Sequence, residues 1–326
     1  MPANLTHQYH AAEQRFKEAT TDPERIQALE EMIRELPKHK GTEKIYAGLK
    51  KKLSDLKNAS QQSGATTRVD PFHVERAGGG QVMLVGLPNT GKSALVAATT
   101  NAPVEVADYP FSTPMPVPGM IYFEDAPIQV IDTPPMTDDY VPTGMVNALR
   151  QSDLILVVAD AHDGDVLEMV QVPLELLDSK TIVADDPEDA PPLTKTRDKV
   201  VLVLTHMDVD GAADSAAAIR ELVADKYTIL EVSCQTGAGL DELRKLLFDR
   251  LEIIRIYTQK PGHDPDYDKP FLLRRGQTVT ELARKVHRDL PEHLKSARVW
   301  GSAKFDGQPV KHDHVLQDKD VVELHE

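Results

Sequence analysis

An α/β fold with a doubly wound, mostly parallel sheet is predicted for the middle of this 326-residue chain. Three observations predict it. Short runs rich in aliphatic and β-branched residues (QVMLVG, IYF, IQVID, LILVVAD, KVVLVLT, ILEVS) alternate with helical patterns from residue 81 onward, as parallel strands with crossover helices do. A Gly-containing turn joins the first run directly to a helical one. Breaks near residues 70 and 252 separate this region from a helical start and a compact tail, and a chain of this length is expected to hold two or three domains. The predicted organisation is a helical hairpin and linker over 1–70, the doubly wound domain over 71–252 and an α+β domain over 253–326.

In the first region Ile26, Leu29, Met32, Ile33 and Leu36 recur at spacings of three and four, as do Ile45, Leu49, Leu53 and Leu56. Pro37 and Gly41 mark a turn, so two amphipathic helices fold back as a hairpin or stand as a solvated arm. SQQSGATTRVD reads as a polar linker ending at Asp70. Residues 181–198 are Pro-rich and acidic and read as a mobile surface loop without chemistry. Beyond 252, FLL, TELARKVHRDL, ARVW and VVEL predict strands around one helix, with Trp300 in the core.

Composition narrows the function classes. Hydrophobic residues make up 40% and charged residues 27%, as in folded, water-exposed domains. No run approaches the roughly 18 to 20 apolar residues of a membrane span, and no signal core opens the chain. Cys234 is the single cysteine, which excludes an internal disulfide and a cysteine-cluster metal site. A cytoplasmic location without membrane contact is the expectation. The net charge of -15 is concentrated between 71 and 251, where 29 acidic side chains face 12 basic ones. Such a surface disfavours sequence-independent nucleic-acid binding, so any RNA contact falls to the two ends.

The chemistry begins at Gly86-Leu87-Pro88-Asn89-Thr90-Gly91-Lys92-Ser93, which fits G-x-x-x-x-G-K-[ST] between strand QVMLV and helix SALVAATT. Its glycines let backbone N–H groups from Gly86 and Asn89 through Ala94 turn toward phosphate, and the helix N-terminus favours the same charge. Lys92 would reach the β- and γ-phosphates and Ser93 would ligate magnesium. Asp132, ending IQVID, sits where a carboxylate can hold that ion. The domain is thus expected to be a P-loop NTPase.

Base choice rests on the next strand ends. KVVLVLT delivers Thr205-His206-Met207-Asp208, close to the N-K-x-D element, in which the Asp carboxylate accepts from the guanine N1–H and exocyclic amine. Thr205 and His206 depart from Asn and Lys. Ser233-Cys234-Gln235-Thr236-Gly237 follows at the next strand end and is similar to a loop that covers the base. GTP or GDP is the expected ligand, and ATP the weaker choice.

With these elements in line the chain resembles the Obg-related GTPases, most closely the developmentally regulated GTP-binding (DRG) proteins. GLPNTGKS, ADYPFSTPMPVPG, IQVIDTP and SCQTGAGLDEL resemble that family's G-domain segments; IYTQKPGHDPDY, FLLRRGQTVTELARKVHRDL, ARVWGSAKFDGQPV and DHVLQDKDVVELHE resemble its C-terminal TGS domain, a ubiquitin-like β-grasp module. The stretch from Asp132 to Thr205 is too short for the extra domain that DRG proteins insert there. The resemblance implies that Thr113, with Ser112 as alternate, ligates magnesium in the GTP state. It implies that Asn89 either helps hold potassium or only stabilises its loop. It also implies a ribosome, RNA or protein partner met through the TGS domain and the helical hairpin.

One departure bears on catalysis. The family's D-x-P-G stands here as Asp132-Thr133-Pro134-Pro135, and a proline has no N–H to give the γ-phosphate. Met136 follows where a Ras-like enzyme has a water-positioning Gln. Slow, magnesium-dependent GTP hydrolysis with Lys92 and Thr113 as the catalytic residues is expected; the alternative is a regulatory or scaffold protein that binds guanine nucleotide without cycling. His312 and His314 lack a third ligand at metal spacing and read as surface residues, and Lys285, His287, Arg288 and Lys295 read as a basic patch or a solvated helix face.

Overall fold

The computed structural model describes Phe16, Met32, Leu49, Lys52 and residues 72–100, 115–137, 140–142, 144–186, 188, 190–223 and 226–325. Two units divide the chain, Met1–Asp70 and Pro71–Glu326. In the first unit, Met32 and Leu49, both on the expected apolar stripes, are helical and buried. Phe16 and the exposed Lys52 are helical as well, and the remainder of the expected hairpin lies outside the described residues.

The second unit begins with strand β1 (Gln81–Val85) and helix α1 (Lys92–Thr99), followed by β2 (Val117–Phe123), β3 (Ala126–Asp132), α2 (Met145–Gln151), β4 (Leu154–Asp160) and α3 (Val166–Ser179). Then come β5 (Val200–Thr205), α4 (Ala212–Val223), β6 (Thr228–Glu231) and α5 (Leu240–Arg250). These six strands form one sheet in the order β2-β3-β1-β4-β5-β6. All neighbours are parallel except β2, which returns antiparallel on β3 with Val117 opposite Asp132 and Phe123 opposite Ala126.

Both faces of this sheet are apolar, as parallel strands buried under helices require. Val82 and Leu84 of β1 face α1 and α5 through Leu95, Val96, Leu243 and Leu247, whereas Met83 and Val85 face Met145, Leu149 and Val170 on the other side. The parallel pairing of β3, β1, β4, β5 and β6 puts the C-terminal ends of these five strands along one edge of the sheet.

The segment 181–198 departs from the expectation of a mobile loop at its flanks. Ile182 and Val183 are in the core. Ala184 N–H donates to the Lys195 carbonyl at 2.9 Å and Lys195 N–H to that of Ile182 at 2.8 Å. Lys195 itself is buried and its ammonium caps the last carbonyls of α2, Leu149 at 2.7 Å and Arg150 at 2.6 Å. A count of prolines and acids does not register two β-branched residues and one lysine that anchor the excursion at both ends.

The tail is a second sheet, built from β7 (Ile253–Gln259), β8 (Asp266–Arg274), β9 (Ser296–Trp300), β10 (Gln308–Val310) and β11 (Asp320–His325), with helices α6 (Val279–Val286) and α7 (Leu290–His293) between β8 and β9. Its order is β10-β9-β11-β7-β8, with β7 and β11 parallel at the centre. A capping box of Thr278 and Glu281 starts α6. The helix then buries Val279, Leu282 and Ala283 against Ile254, Ile256, Val299 and Val322.

Trp300 is not in this core. Ala297 and Val299 point inward, so Trp300 lies on the opposite face of β9 and is half-buried there, with Gly307 packed against its ring. Lys285 is also not a free member of a basic patch, because its ammonium donates to the Leu272 carbonyl. Among the described residues no cluster of three or more His, Cys, Asp or Glu side chains can hold a metal, and His312 and His314 serve through their carbonyls, which accept from Thr280 and Val279. No helix among the described residues is long and apolar enough to cross a membrane.

Candidate functional site

The site lies along the C-terminal ends of β1, β3, β5 and β6. After Val85 the chain turns through Gly86, Asn89 and Gly91 into α1. A side chain at Gly86 would meet the Val158 carbonyl at 2.5 Å, and Gly91 takes φ +85 with Thr205 close behind it. Asn89 is exposed at φ 62, in the left-handed region where Asn is enriched, so local backbone conformation accounts for its presence.

Lys92 is buried, and its ammonium lies inside the loop it belongs to, donating to the carbonyls of Leu87 at 2.6 Å and Gly86 at 3.2 Å and to Thr90 Oγ1 at 3.2 Å. Burial pushes its pKa down to about 8, and the nearby Asp132 charge opposes that shift. The loop is thus closed around a cation that an anionic ligand would stabilise. Thr90 ties the turn by donating its hydroxyl to the Leu87 carbonyl at 3.2 Å, and Ala94 follows within the first turn of α1.

Ser93 Oγ and the buried Asp132 Oδ2 meet at 2.6 Å. One comes from the first turn of α1 and the other from the last residue of β3, so two hard oxygens converge beside Lys92. That donor set fits magnesium, which takes few protein ligands and completes its shell from phosphate and water. Ser112 and Thr113, the remaining ligands expected from sequence, lie outside the described residues.

The strand after Asp132 closes against the phosphate loop. Thr133, Pro134, Pro135 and Met136 are all buried. Met136 N–H donates to the Gly86 carbonyl at 3.3 Å while its side chain packs in the core. Pro134 and Pro135 have no N–H, so none of the three backbone positions after Thr133 has a donor to offer an incoming phosphate.

At the other end of the site, Thr205 is buried and donates its hydroxyl to the Thr90 carbonyl at 3.0 Å, with the Ala159 carbonyl as a second acceptor at 3.2 Å. Thr205 therefore braces the phosphate loop from behind. His206, exposed at φ 57, sets Nδ1 at 3.0 Å from Asp160 Oδ1. Asp160, which ends β4, escaped the sequence reading; its place at a strand end in LILVVAD was the available signal.

Asp208 is exposed and accepts from Ser233 Oγ at 2.5 Å through Oδ1. That hydrogen bond and a backbone N–H hold its carboxyl below the usual carboxylate range. Ser233 Oγ in turn accepts from Thr236 N–H at 3.1 Å, and Ser233 N–H donates to the Ala238 carbonyl at 2.9 Å, so the loop through Cys234 and Gln235 is folded onto the Asp208 side. Burial and the Asp208 charge push the Cys234 thiol up, which makes it an apolar wall rather than a nucleophile; Gln235 is exposed. The arrangement presents an anion loop, a metal corner and a fixed acidic acceptor along one edge of a sheet.

Comparison with known proteins bears on this arrangement. Residues 81–206 match the profile of a family described as 50S ribosome-binding GTPases, and residues 254–326 match the TGS domain. An uncharacterized GTP-binding protein of Methanocaldococcus jannaschii is 29% identical, with 92% of each chain covered. GTP-binding protein 1 of Schizosaccharomyces pombe is also 29% identical, and human developmentally-regulated GTP-binding protein 2 is 26% identical, each over 92% of this chain and 98% of the relative. The first of these alignments runs to 361 positions, longer than the 326-residue chain, so this chain carries deletions relative to that protein.

Proposed function

Because the chain is a GTP-binding protein of the DRG family, with a P-loop G domain and a TGS domain, we propose that it binds GTP and GDP with magnesium and hydrolyses GTP slowly. The observation that carries this reading is the acceptor pair Asp208–Ser233 standing in the same row of strand ends as Lys92 and the Ser93–Asp132 corner. A carboxylate kept ionised there accepts from the two guanine donors that adenine lacks.

In this reading Lys92 and the amides from Asn89 to Ala94 hold the β- and γ-phosphates. Thr205 keeps the loop at its distance from the base end, and His206, held by Asp160, flanks the base. Magnesium held by Ser93, Asp132 and Thr113 would supply positive charge to the phosphate oxygens, and Asn89 either helps hold potassium beside them or only stabilises its loop. Hydrolysis needs positioning and charge neutralisation and no nucleophilic side chain. It is slow here because Pro135 gives the γ-phosphate no N–H and Met136 N–H is committed to Gly86. The protein acts in the cytoplasm, at a ribosome or an RNA reached through the TGS domain and the N-terminal region.

The test is calorimetric titration of GTP, GDP and ATP with magnesium into wild type and Asp208→Ala. Guanine nucleotides are expected to bind and ATP not; Asp208→Ala is expected to weaken GDP about 10- to 100-fold, the size of hydrogen bonds to a charged acceptor. Equal binding of ATP and GTP to wild type would overturn the assignment.

A further inference from the structure

Outside the nucleotide site, a buried arginine, Arg255, stands on β7 at the start of the second sheet. Its side chain is 3% exposed. The guanidinium grips Asp318 side-on, Nε to Oδ1 at 3.0 Å and Nη2 to Oδ2 at 2.7 Å, within its own domain. Its other nitrogen, Nη1, crosses to the first sheet and donates to Glu124 and, at 3.0 Å, to Asp125 Oδ1. Tyr257 O–H donates to Asp125 Oδ2 at 2.5 Å, and Lys319 pairs with Glu124 at 3.2 Å. The guanidinium also lies over the rings of Phe248 and Phe123, 5.0 and 5.9 Å from their centroids.

Glu124 and Asp125 are the two-residue turn between β2 and β3. From that turn the two strands pair without a break back to Val117 opposite Asp132. The hairpin is therefore a stiff lever roughly 20 Å long at 3.3 Å per residue, with Arg255 on one end and the metal-holding carboxylate on the other. Apolar packing alone would join the two sheets at lower desolvation cost, whereas directional bonds from a buried guanidinium fix one orientation.

We propose that Arg255 is a positioning residue of the nucleotide site, acting through the β2–β3 hairpin to hold Asp132 in register with Ser93, so that the C-terminal domain controls how tightly magnesium and nucleotide are kept. Displacing that domain, as a bound partner would, loosens the Asp132 corner and speeds nucleotide release. This inference rests on the nucleotide reading given above.

A second contact between the sheets serves as the control. Arg274 of β8 pairs with Asp153 at 3.3 Å, and Asp153 Oδ2 accepts from Gln81 N–H at 2.8 Å, at the N-terminal edge of the first sheet, away from the site. Release of fluorescently labelled GDP is measured against magnesium concentration for wild type, Arg255→Met, Arg255→Lys and Arg274→Met. Arg255→Met is expected to release GDP about fivefold faster or more, the low end of coupling between separate sites, and to need more magnesium for half-maximal retention. Arg255→Lys is expected to recover part of the effect and Arg274→Met to leave both readings as in wild type.

Hydrogen exchange at Ile128–Asp132 in nucleotide-free protein is expected to rise in Arg255→Met alone. Should that variant not fold, Glu124→Gln with Asp125→Asn on the turn tests the same link from the other side. Wild-type release and magnesium dependence in these variants, or an equal effect of Arg274→Met, would overturn the proposal. A wild type that retains no labelled GDP would instead overturn the nucleotide reading.

Discussion

The phosphate end and the base end of the site are built on different principles. From Gly86 to Ser93 the work is done by backbone: Gly86 has no room for a side chain beneath Val158, Gly91 takes a left-handed φ, and Lys92 is enclosed by the carbonyls of its own loop. Backbone geometry of this kind tolerates few residue types, so the motif is intact. From Thr205 to Gln235 the work is done by side chains, and one side chain can replace another that reaches the same atom. Thr205 ties back to the Thr90 carbonyl at 3.0 Å with a hydroxyl, which leaves the role filled although the residue type has changed.

The phosphate end depends most heavily on Lys92. Lys92→Ala is expected to remove nucleotide binding to below calorimetric detection while leaving the folded state intact, because the loop's single buried cation is lost. Its protonation adds a sharper test. Burial holds the apo ammonium at about 8, lowered from its ordinary value of 10.5, and a bound phosphate favours the charged form. Binding above that pH therefore takes up a proton, and GDP affinity should be flat below pH 7.5 and fall by up to about tenfold per unit above it. The sign for folding is opposite. The unfolded chain binds more protons between the two values, so apo stability gains from Lys92 as pH rises through that window. Calorimetry in buffers of different ionisation enthalpy separates the proton uptake from other titrations.

The base end is expected to respond less, and differently. Between the two ends stands Pro135, where Pro135→Gly restores a donor toward the γ-phosphate. A charge-assisted hydrogen bond contributes about 1.5 to 3 kcal/mol, so the variant should favour a non-hydrolysable GTP analogue over GDP by about tenfold more than wild type does. If the ratio stays unchanged, the docking of Met136 on Gly86, rather than the missing N–H, limits discrimination. The idea that wild type is a poor γ-phosphate sensor fails if wild type already prefers the analogue by a wide margin.

What the sequence made legible follows the same division. The strands, Lys92, Ser93 and Asp132 were readable because periodicity and a fixed spacing encode them. Asp208 and Ser233 were readable as the ends of successive strands. Three features were not. Asp160 carries no motif, and only the fold sets it beside His206 at 3.0 Å. Ile182, Val183 and Lys195 were hidden by the prolines and acids around them. Arg255 meets Glu124 and Asp125 across a separation of about 130 residues, and no local pattern encodes a contact between two sheets. Trp300 was misplaced because aromatic bulk suggested a core position, whereas the strand's two-residue period sends Val299 inward and the indole outward.

The smallest expected effect tests the substitution at Thr205. Thr205→Val keeps the shape of the side chain and removes its hydroxyl, so the Thr90 carbonyl loses a buried donor while Gly91 keeps its neighbour. One neutral hydrogen bond is worth about 1 kcal/mol, and the expected loss is about fivefold in GDP affinity with little change in base preference, since Asp208 and Ser233 are untouched. Thr205→Asn, which restores the residue type of the N-K-x-D element, should bind GDP as well as wild type or better if the longer amide reaches the same carbonyl. A loss of guanine over adenine preference in Thr205→Val would show that Thr205 meets the base, and the division between a backbone-built phosphate end and a side-chain-built base end would then have to be redrawn around it.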